Sequence, residues 1–274
     1  MKKTAIAGPF GAPVYHIEET DSTMHLSREL AGSGAPHGTT VWADFQNAGR
    51  GRIEGRSWTS APGENILCTV MLRCHPVPGF TLRVGLAVAL AFDAFLPPGI
   101  RTEIKWPNDV LFGGKKLAGI LCENDGSVIH VGTGLNVGQT GFPPELTAKA
   151  TSLARILANL APASTASIAI PSREDVLAAY LSNLESVLGM DDWNTRVSDK
   201  LWRRGERIRF LSGDPAKREI LDGAIEGIGP AGELLFRPAQ TAAEGSNASR
   251  GAGAAGIANS PLLRLFSGEI PYPE

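Results

Sequence analysis

Residues 49–58 combine three arginines, three glycines and a tryptophan within ten positions. Guanidinium groups are forked donors that match carboxylate and phosphate oxygens, and glycines let the backbone approach a ligand closely. The tryptophan adds a flat surface on which a ring or a cation can stack. This composition predicts a loop that closes over an anionic ligand. Its candidate contacts are Gly49, Arg50, Gly51, Arg52, Arg56 and Trp58.

Two plainer interpretations of this arginine-rich loop are open. Arginine-glycine repeats also occur in RNA-binding tails, but those run through many repeats of a basic chain, whereas this chain has a formal net charge of −2. A nucleic-acid partner is therefore not expected. The arginines could also belong to a solvated surface loop. That interpretation leaves a second chemically suggestive segment unexplained.

The second segment covers residues 104–121, where two apolar stretches flank the pair Gly113-Gly114. Apolar stretches on both sides of a glycine pair predict a β-hairpin. Pro107 cannot donate to a sheet, so it marks a strand end or bulge, with Lys105 on the strand just before it. Taken alone, Lys105 could be a solvated edge lysine and Asp109 a turn residue.

The elements around these segments predict an α+β fold in which helices pack on a largely antiparallel sheet. Residues 14–18 and 39–45 have strand patterns, and the helix predicted between them at 24–31 could be capped by Asp21, Ser22 or Thr23. Such a capping turn also suits a polar or anionic ligand. Further strands are expected at 65–73 and within 101–137, and further helices at 81–96, 151–160, 173–189 and 193–204.

The pattern of the sequence changes at Gly205 from long helical stretches to short strands. This change predicts two domains, at 1–204 and 205–274. The second domain has short strand patterns separated by glycine and proline turns, as in a small β-barrel. Residues 239–260 interrupt it with a stretch rich in Ala, Gly, Ser and Asn, which predicts a mobile loop. The strands of this domain are expected at 207–211, 220–228, 233–237 and 262–266.

The composition is that of an ordinary globular protein of 274 residues, with 43% hydrophobic and 20% charged residues. The longest apolar stretch, 84–96, contains Asp93 and is too short to cross a bilayer, so no membrane role is expected. The three cysteines show no paired spacing, which suits free thiols in the cytoplasm. The five histidines show no ligand spacing, so no protein metal site is predicted.

Together, the two segments and their order resemble the biotin protein ligases, which attach biotin to a lysine of a carrier domain. The resemblance covers residues 14–274, with two departures: Met24 stands where the family usually has Asn, and the stretch 52–58 is one residue longer than in the family's ligase-repressors. Four further segments fit the pattern: Thr20-Asp21-Ser22-Thr23, Phe45-Gln46-Asn47-Ala48, Gly132-Thr133-Gly134-Leu135-Asn136 and Ser267-Gly268-Glu269-Ile270.

The resemblance implies a fold with an SH3-like C-terminal barrel and a two-step reaction. Biotin and ATP, with Mg²⁺, would form biotinyl-5′-AMP, and the biotinyl group would pass to a biotin carboxyl carrier domain. Lys105, Arg52 and Asp109 would be catalytic. The residues implied for biotin or adenylate binding are Ser22, Thr23, Gln46, Gly49, Arg50, Gly51, Arg52, Trp58, Lys105, Lys116, Gly119, Gly132, Gly134 and Asn136.

Two other functions fit parts of the pattern. A lipoate or octanoate ligase would share the fold and the acyl-adenylate chemistry, but the segments around Arg50 and Lys105 favour biotin. A non-catalytic biotin sensor could dispense with these cations, which this chain retains. The roughly dozen residues before the first predicted strand are too few for a helix-turn-helix, so no repressor function is expected. A monomer and a homodimer both remain open.

Overall fold

The computed structural model describes residues 1–53, 55, 57–161, 169–213, 219–239 and 260–272. Within them, eight strands form one sheet in the order β1-β2-β3-β4-β8-β7-β6-β5. The β2 and β3 strands are parallel and α1 crosses between them, while the other neighbours are antiparallel. The strands are β1 Lys2–Lys3, β2 Val14–Thr20, β3 Thr40–Gln46, β4 Ile66–Leu72, β5 Glu103–Lys105, β6 Asp109–Phe112, β7 Lys115–Asn124 and β8 Ile129–Leu135.

Six α-helices accompany this sheet in the described part of the chain. The central one, α2, is apolar on almost every face and is buried along most of its length. Its one buried cation, Arg83, donates to the carbonyls of Val187, Leu188 and Met190 and lies over the Trp193 ring. The helices are α1 Thr23–Gly32, α2 Phe80–Asp93, α3 Pro144–Thr147, α4 Leu153–Leu160, α5 Arg173–Leu188 and α6 Trp193–Asp199.

A second antiparallel sheet follows, with five described strands in the order β12-β11-β10-β9-β13. It packs against the first sheet's hairpin, where Trp106 Nε1 donates to the Gly232 carbonyl at 3.1 Å and the Trp106 and Phe210 rings are 5.9 Å apart. Closure into an SH3-like barrel and the domain boundary at 204/205 stay predictions. The strands are β9 Arg207–Ser212, β10 Glu219–Ile228, β11 Leu234–Pro238, β12 Leu263–Leu265 and β13 Gly268–Glu269.

The predicted α+β class is confirmed, and so is the hairpin around Gly113 and Gly114, which both have positive φ. Ser22 caps α1 by accepting from the Met24 N–H at 3.3 Å. The predicted helix 193–204 is too long, because the chain leaves α6 and pairs Leu201 with Ile104, covering the outer side of β5. Most of the predicted mobile loop, 240–259, lies outside the described residues, as does Arg56.

Candidate functional site

A slot whose floor is made of glycines runs across the centre of the first sheet. Neighbouring positions on a strand face opposite sides, so Gly132 and Gly134 of β8 share one face. Gly134 pairs with Leu67 on one side and Gly119 on the other, and Gly132 pairs with Leu121 of β7. Three glycines therefore lie on the same face, which lets a flat or slender ligand lie against the backbone.

The Trp58 ring covers part of this slot. A Cβ added to Gly134 would lie 2.5 Å from Trp58 Cε2, and one added to Gly119 would lie 2.9 Å from Cζ3. The backbone N–H of Trp58 donates to the Gly49 carbonyl at 3.0 Å, and this bond joins the two ends of the arginine-rich loop. Among the described residues, no acceptor reaches the buried indole Nε1. That donor is available to a ligand.

One end of the slot is polar. Gln46 Oε1 accepts from the Thr23 N–H at 2.7 Å and from Thr23 Oγ1 at 2.9 Å, and Thr23 Oγ1 also lies 2.9 Å from Thr69 Oγ1. These bonds hold the N-terminus of α1 against β3 and β4. Only the carbonyl oxygen of the Gln46 side-chain amide takes part in these bonds, and its two N–H donors do not. Ser22 lines the same end of the cavity.

Cationic groups gather at the other end. Lys116 Nζ lies 2.7 Å from Asp109 Oδ1 and 5.5 Å from the centre of a Trp58 ring. Lys105 is only 3% exposed, and its Nζ lies 3.7 Å from the centre of the Tyr272 ring. The two lysines come from opposite ends of the β5–β6–β7 meander, whose antiparallel pairing brings both to the cavity.

The described part of the arginine-rich loop adds two exposed guanidinium groups. Arg50 lies 3.5 Å from Glu123 of β7, and the other oxygen of Glu123 accepts from Arg28 of α1. Arg50 forms a bridge to Ser57, so the loop folds back on itself. Arg52 lines the cavity and is exposed. Both side chains can reach an anion at the mouth of the slot.

These groups enclose one cavity of about 180 Å³. Thirteen of the fifteen predicted site residues line it. Gly49 and Asn136 do not: Gly49 packs against Trp58, and Asn136 Nδ2 donates to the Thr151 carbonyl at 3.0 Å. The lining residues are Ser22, Thr23, Met24, Gln46, Arg50, Gly51, Arg52, Ile53, Ser57, Trp58, Leu67, Cys68, Thr69, Lys105, Trp106, Pro107, Asn108, Asp109, Lys116, Gly119, Ile120, Leu121, Gly132, Thr133, Gly134 and Glu269.

The sequence interpretation assigned no role to several lining residues. Strand alternation alone does not predict that Leu67 and Thr69 face the cavity, because the register of β4 against β8 is also required. Glu269 reaches the cavity from β13, far along the chain. Lys116 is among the binding residues that the resemblance implies, and its ammonium group pairs with Asp109 at the cavity.

Cys68 lines the cavity but is not suited to nucleophilic chemistry. Burial raises the pKa of its thiol to about 12, although a hydrogen bond with Thr133 partly opposes the shift. Only the thiolate is strongly nucleophilic. In the described part of the chain, no group of three or more His, Cys, Asp or Glu side chains is placed to hold a metal ion.

The chain is similar to several known proteins. The sequence model of the biotin/lipoate A/B protein ligase family matches residues 16–139. The bifunctional ligase/repressor BirA of Bacillus subtilis is 42% identical over 52% of this chain and 46% of its own length. The biotin–[acetyl-CoA-carboxylase] ligase of Mycobacterium tuberculosis is 36% identical over 62% of each chain. The chain thus spans about half to two thirds of these relatives' lengths.

A solved structure extends the likeness to nearly the whole chain. The biotin protein ligase from Aquifex aeolicus, in complex with biotin and ATP, superposes with a TM-score of 0.72 at 25% identity, covering 94% of this chain and 97% of that one. The fold thus matches a class of proteins that includes the biotin and lipoate ligases. Within that class, the chain is similar to the biotin protein ligases.

Proposed function

We propose that this chain is a biotin protein ligase. In its first step, a biotin carboxylate oxygen attacks the α-phosphorus of ATP, and pyrophosphate leaves. In its second, the amine of a carrier lysine attacks the acyl carbon of biotinyl-5′-AMP, and AMP leaves. The observation that carries this proposal is a glycine-floored slot with hydrogen-bonding groups at one end and cations at the other.

The polar end of the slot suits the ureido ring of biotin. A ureido group has a carbonyl acceptor and two N–H donors, and Ser22, Thr23 and Gln46 supply hydroxyl and amide groups around one point. The glycine floor carries no side chains of its own, and the thiophane ring and aliphatic tail would lie against it when the Trp58 ring and the Met24 methyl group move aside. Leu67 and Leu121 flank that floor and add apolar surface.

The cationic end suits the meeting of a carboxylate with a phosphate. At an effective dielectric constant of 20, two unit charges 4 Å apart repel by about 4 kcal/mol, so nearby ammonium and guanidinium groups lower the barrier. Lys105 and Lys116 approach the slot from the strands, and Arg50 and Arg52 approach it from the loop. Asp109 holds the Lys116 ammonium in place through their ion pair.

Trp58 and the loop suit the adenylate. The Trp58 ring offers a stacking face, and its indole N–H can donate to an acceptor of the bound ligand. The exposed Arg52 can contact a phosphate when the loop closes, which would exclude water from the mixed anhydride. The predicted contact of Asn136 with the adenylate stays a prediction, since its side chain supports the backbone beside Lys116.

Magnesium would enter as part of the Mg·ATP substrate. Proteins usually hold Mg²⁺ through one or two carboxylates together with substrate phosphates, and the described residues form no protein-only cluster for it. The resemblance further implies a carrier domain as partner. A cytoplasmic location is proposed from the three free cysteines. Separately, the helices of the described part of the chain include none with the length and apolar character of a membrane span.

One assay separates the proposal from its alternatives. The protein is incubated with α-labelled ATP and either biotin or lipoate, and the acyl-adenylate is resolved before a purified biotin carboxyl carrier domain is added. A biotin ligase forms labelled biotinyl-AMP and then biotinylates the carrier. Adenylate formation with lipoate alone would identify a lipoate ligase. Biotin binding without adenylate would identify a sensor.

A further inference from the structure

The C-terminal segment returns from the second sheet to the buried lysine of the first. Gly268 and Glu269 form β13 and pair with β9, and Ile270 is completely buried in the core. These contacts fix the backbone two residues before Tyr272. The Tyr272 ring then lies face-on to Lys105, with 3.7 Å between Nζ and the ring centre.

A second aromatic residue lies near this ammonium group. Trp202 lies 5.9 Å from Lys105 Nζ and 5.8 Å from the Tyr272 ring. Its position follows from the early end of α6, because the Trp202 N–H donates to the Ile104 carbonyl at 2.9 Å, next to Lys105. Because the Lys105 residue is only 3% exposed, its ammonium group is largely removed from water, and aromatic faces attract a desolvated cation strongly.

We propose that Tyr272 is a positioning residue for Lys105. This inference rests on the proposed function, in which Lys105 contacts the biotin carboxylate and the α-phosphate. The ring holds the ammonium group at one point of the cavity wall and stabilises its charge before the anions arrive. The second sheet thereby contributes to adenylate formation without its tyrosine touching a substrate.

A simple packing role for Tyr272 makes different predictions. Leucine would fill much of the same space but has no π-face, whereas phenylalanine keeps the face and loses only the hydroxyl group. If the face matters, Tyr272→Phe should behave like the wild type and Tyr272→Leu should not. If only volume matters, both variants should behave alike in activity once they are equally folded.

The first measurement needs no substrate. In protein carrying ¹³C-labelled lysine, the Lys105 Cε protons should show an upfield ring-current shift, with the resonance assigned by its loss in Lys105→Arg. The shift should persist in Tyr272→Phe and disappear in Tyr272→Leu. Tyr15→Leu, which alters a tyrosine on β2 away from this site, is the control and should leave it unchanged.

The second measurement is steady-state biotinyl-AMP formation. Tyr272→Leu should lower kcat about tenfold while the KM for biotin stays within about twofold, because the loss concerns the transition state. In a Lys105→Met background, Tyr272→Leu should cause no further loss. A kcat equal to the wild type in folded Tyr272→Leu, or an equal loss in Tyr272→Phe, would overturn the proposal.

These two measurements distinguish the positioning role from the ligase proposal itself. A wild-type protein that forms no biotinyl-AMP overturns the function, whereas the ring-current shift still reports whether Tyr272 holds Lys105. An absent shift in active wild-type protein overturns the positioning role alone. Thermal unfolding of all variants identifies any that fail to fold, and if Tyr272→Leu is one of them, Tyr272→Met, which also keeps volume without a π-face, takes its place with the same expected results.

Discussion

Lys116 and Asp109 form an ion pair inside the candidate cavity, with 2.7 Å between Nζ and Oδ1. Asp109 begins β6 and Lys116 lies on β7, so the hairpin turn at Gly113 and Gly114 brings them together. The pair lies beside the Trp58 ring. The carboxylate that orients the Lys116 ammonium group therefore belongs to the protein and not to a substrate.

Breaking that ion pair should impair catalysis more than biotin binding. We expect Asp109→Asn to lower the rate of biotinyl-AMP formation about tenfold, because the ammonium loses its orienting partner. Adding Asp109→Asn to Lys116→Met should then cost little more, since contacting residues are not additive. A double-mutant cycle on adenylate formation measures this coupling, with Lys115→Met as the control on the same strand. Fully additive losses would contradict the pairing.

Removing the buried lysine should affect adenylation severely. Lys105→Ala loses a charged contact at the reacting oxygens, which typically costs about 3 kcal/mol, or roughly a hundredfold in rate. The measurement is biotin-dependent exchange of pyrophosphate into ATP, with Lys3→Ala of the outer strand as the control. Exchange at the wild-type rate in a folded Lys105→Ala protein would remove Lys105 from the mechanism.

Filling the glycine slot should weaken biotin binding. A Cβ at Gly134 would lie 2.5 Å from Trp58 Cε2, so Gly134→Ala must displace the indole or the ligand. Overpacking of this kind costs about 1–3 kcal/mol, so the Kd for biotin should rise about tenfold or more. Calorimetry measures it. Gly141→Ala is the matched control, because a Cβ there meets nothing within 4 Å. Equal affinities would show that biotin binds elsewhere.

Replacing an arginine of the loop should weaken retention of the adenylate without preventing biotin from binding. Arg52 is exposed at the cavity, whereas the polar end of the slot is built from Thr23 and Gln46. Arg52→Gly should therefore bind biotin but lose a phosphate contact of about 1.5–3 kcal/mol, speeding biotinyl-AMP release roughly ten- to a hundredfold. Release from preloaded enzyme is measured, with Arg101→Gly as the control. Release at the wild-type rate would contradict retention by Arg52.

The three thiols should differ sharply in reactivity. Burial raises the pKa of both Cys68 and Cys122 to about 12, with hydrogen bonds from Thr133 and Thr81 opposing the shift, so both stay protonated at about pH 8. Cys74 is exposed. A thiol reagent should modify one cysteine rapidly in the native protein and all three after unfolding. Cys74→Ser should abolish the rapid phase, and a second rapid thiol in the native protein would contradict the raised pKa of the other two.

Much of the local structure was predictable because it depends on near neighbours. The glycine pair 113–114 forces a turn through its positive φ angles, and Ser22 caps the helix that follows it. Alternating patterns and breaks by proline and glycine located most strands and helices within a few residues. The types of the loop arginines and of Lys105 already indicated an anionic ligand, because guanidinium and ammonium groups are specific partners for such charges.

Other features depend on contacts between residues distant in sequence. Strand register placed Gly119, Gly132 and Gly134 on one face, and a shift of one residue would have turned them away from the cavity. The early end of α6 depends on the edge of β5, which helical periodicity does not reveal. Tyr272 meets Lys105 only because Ile270 is anchored in the core of the second sheet. Sequence alone determined the chemical groups, and long-range packing decided which of them meet.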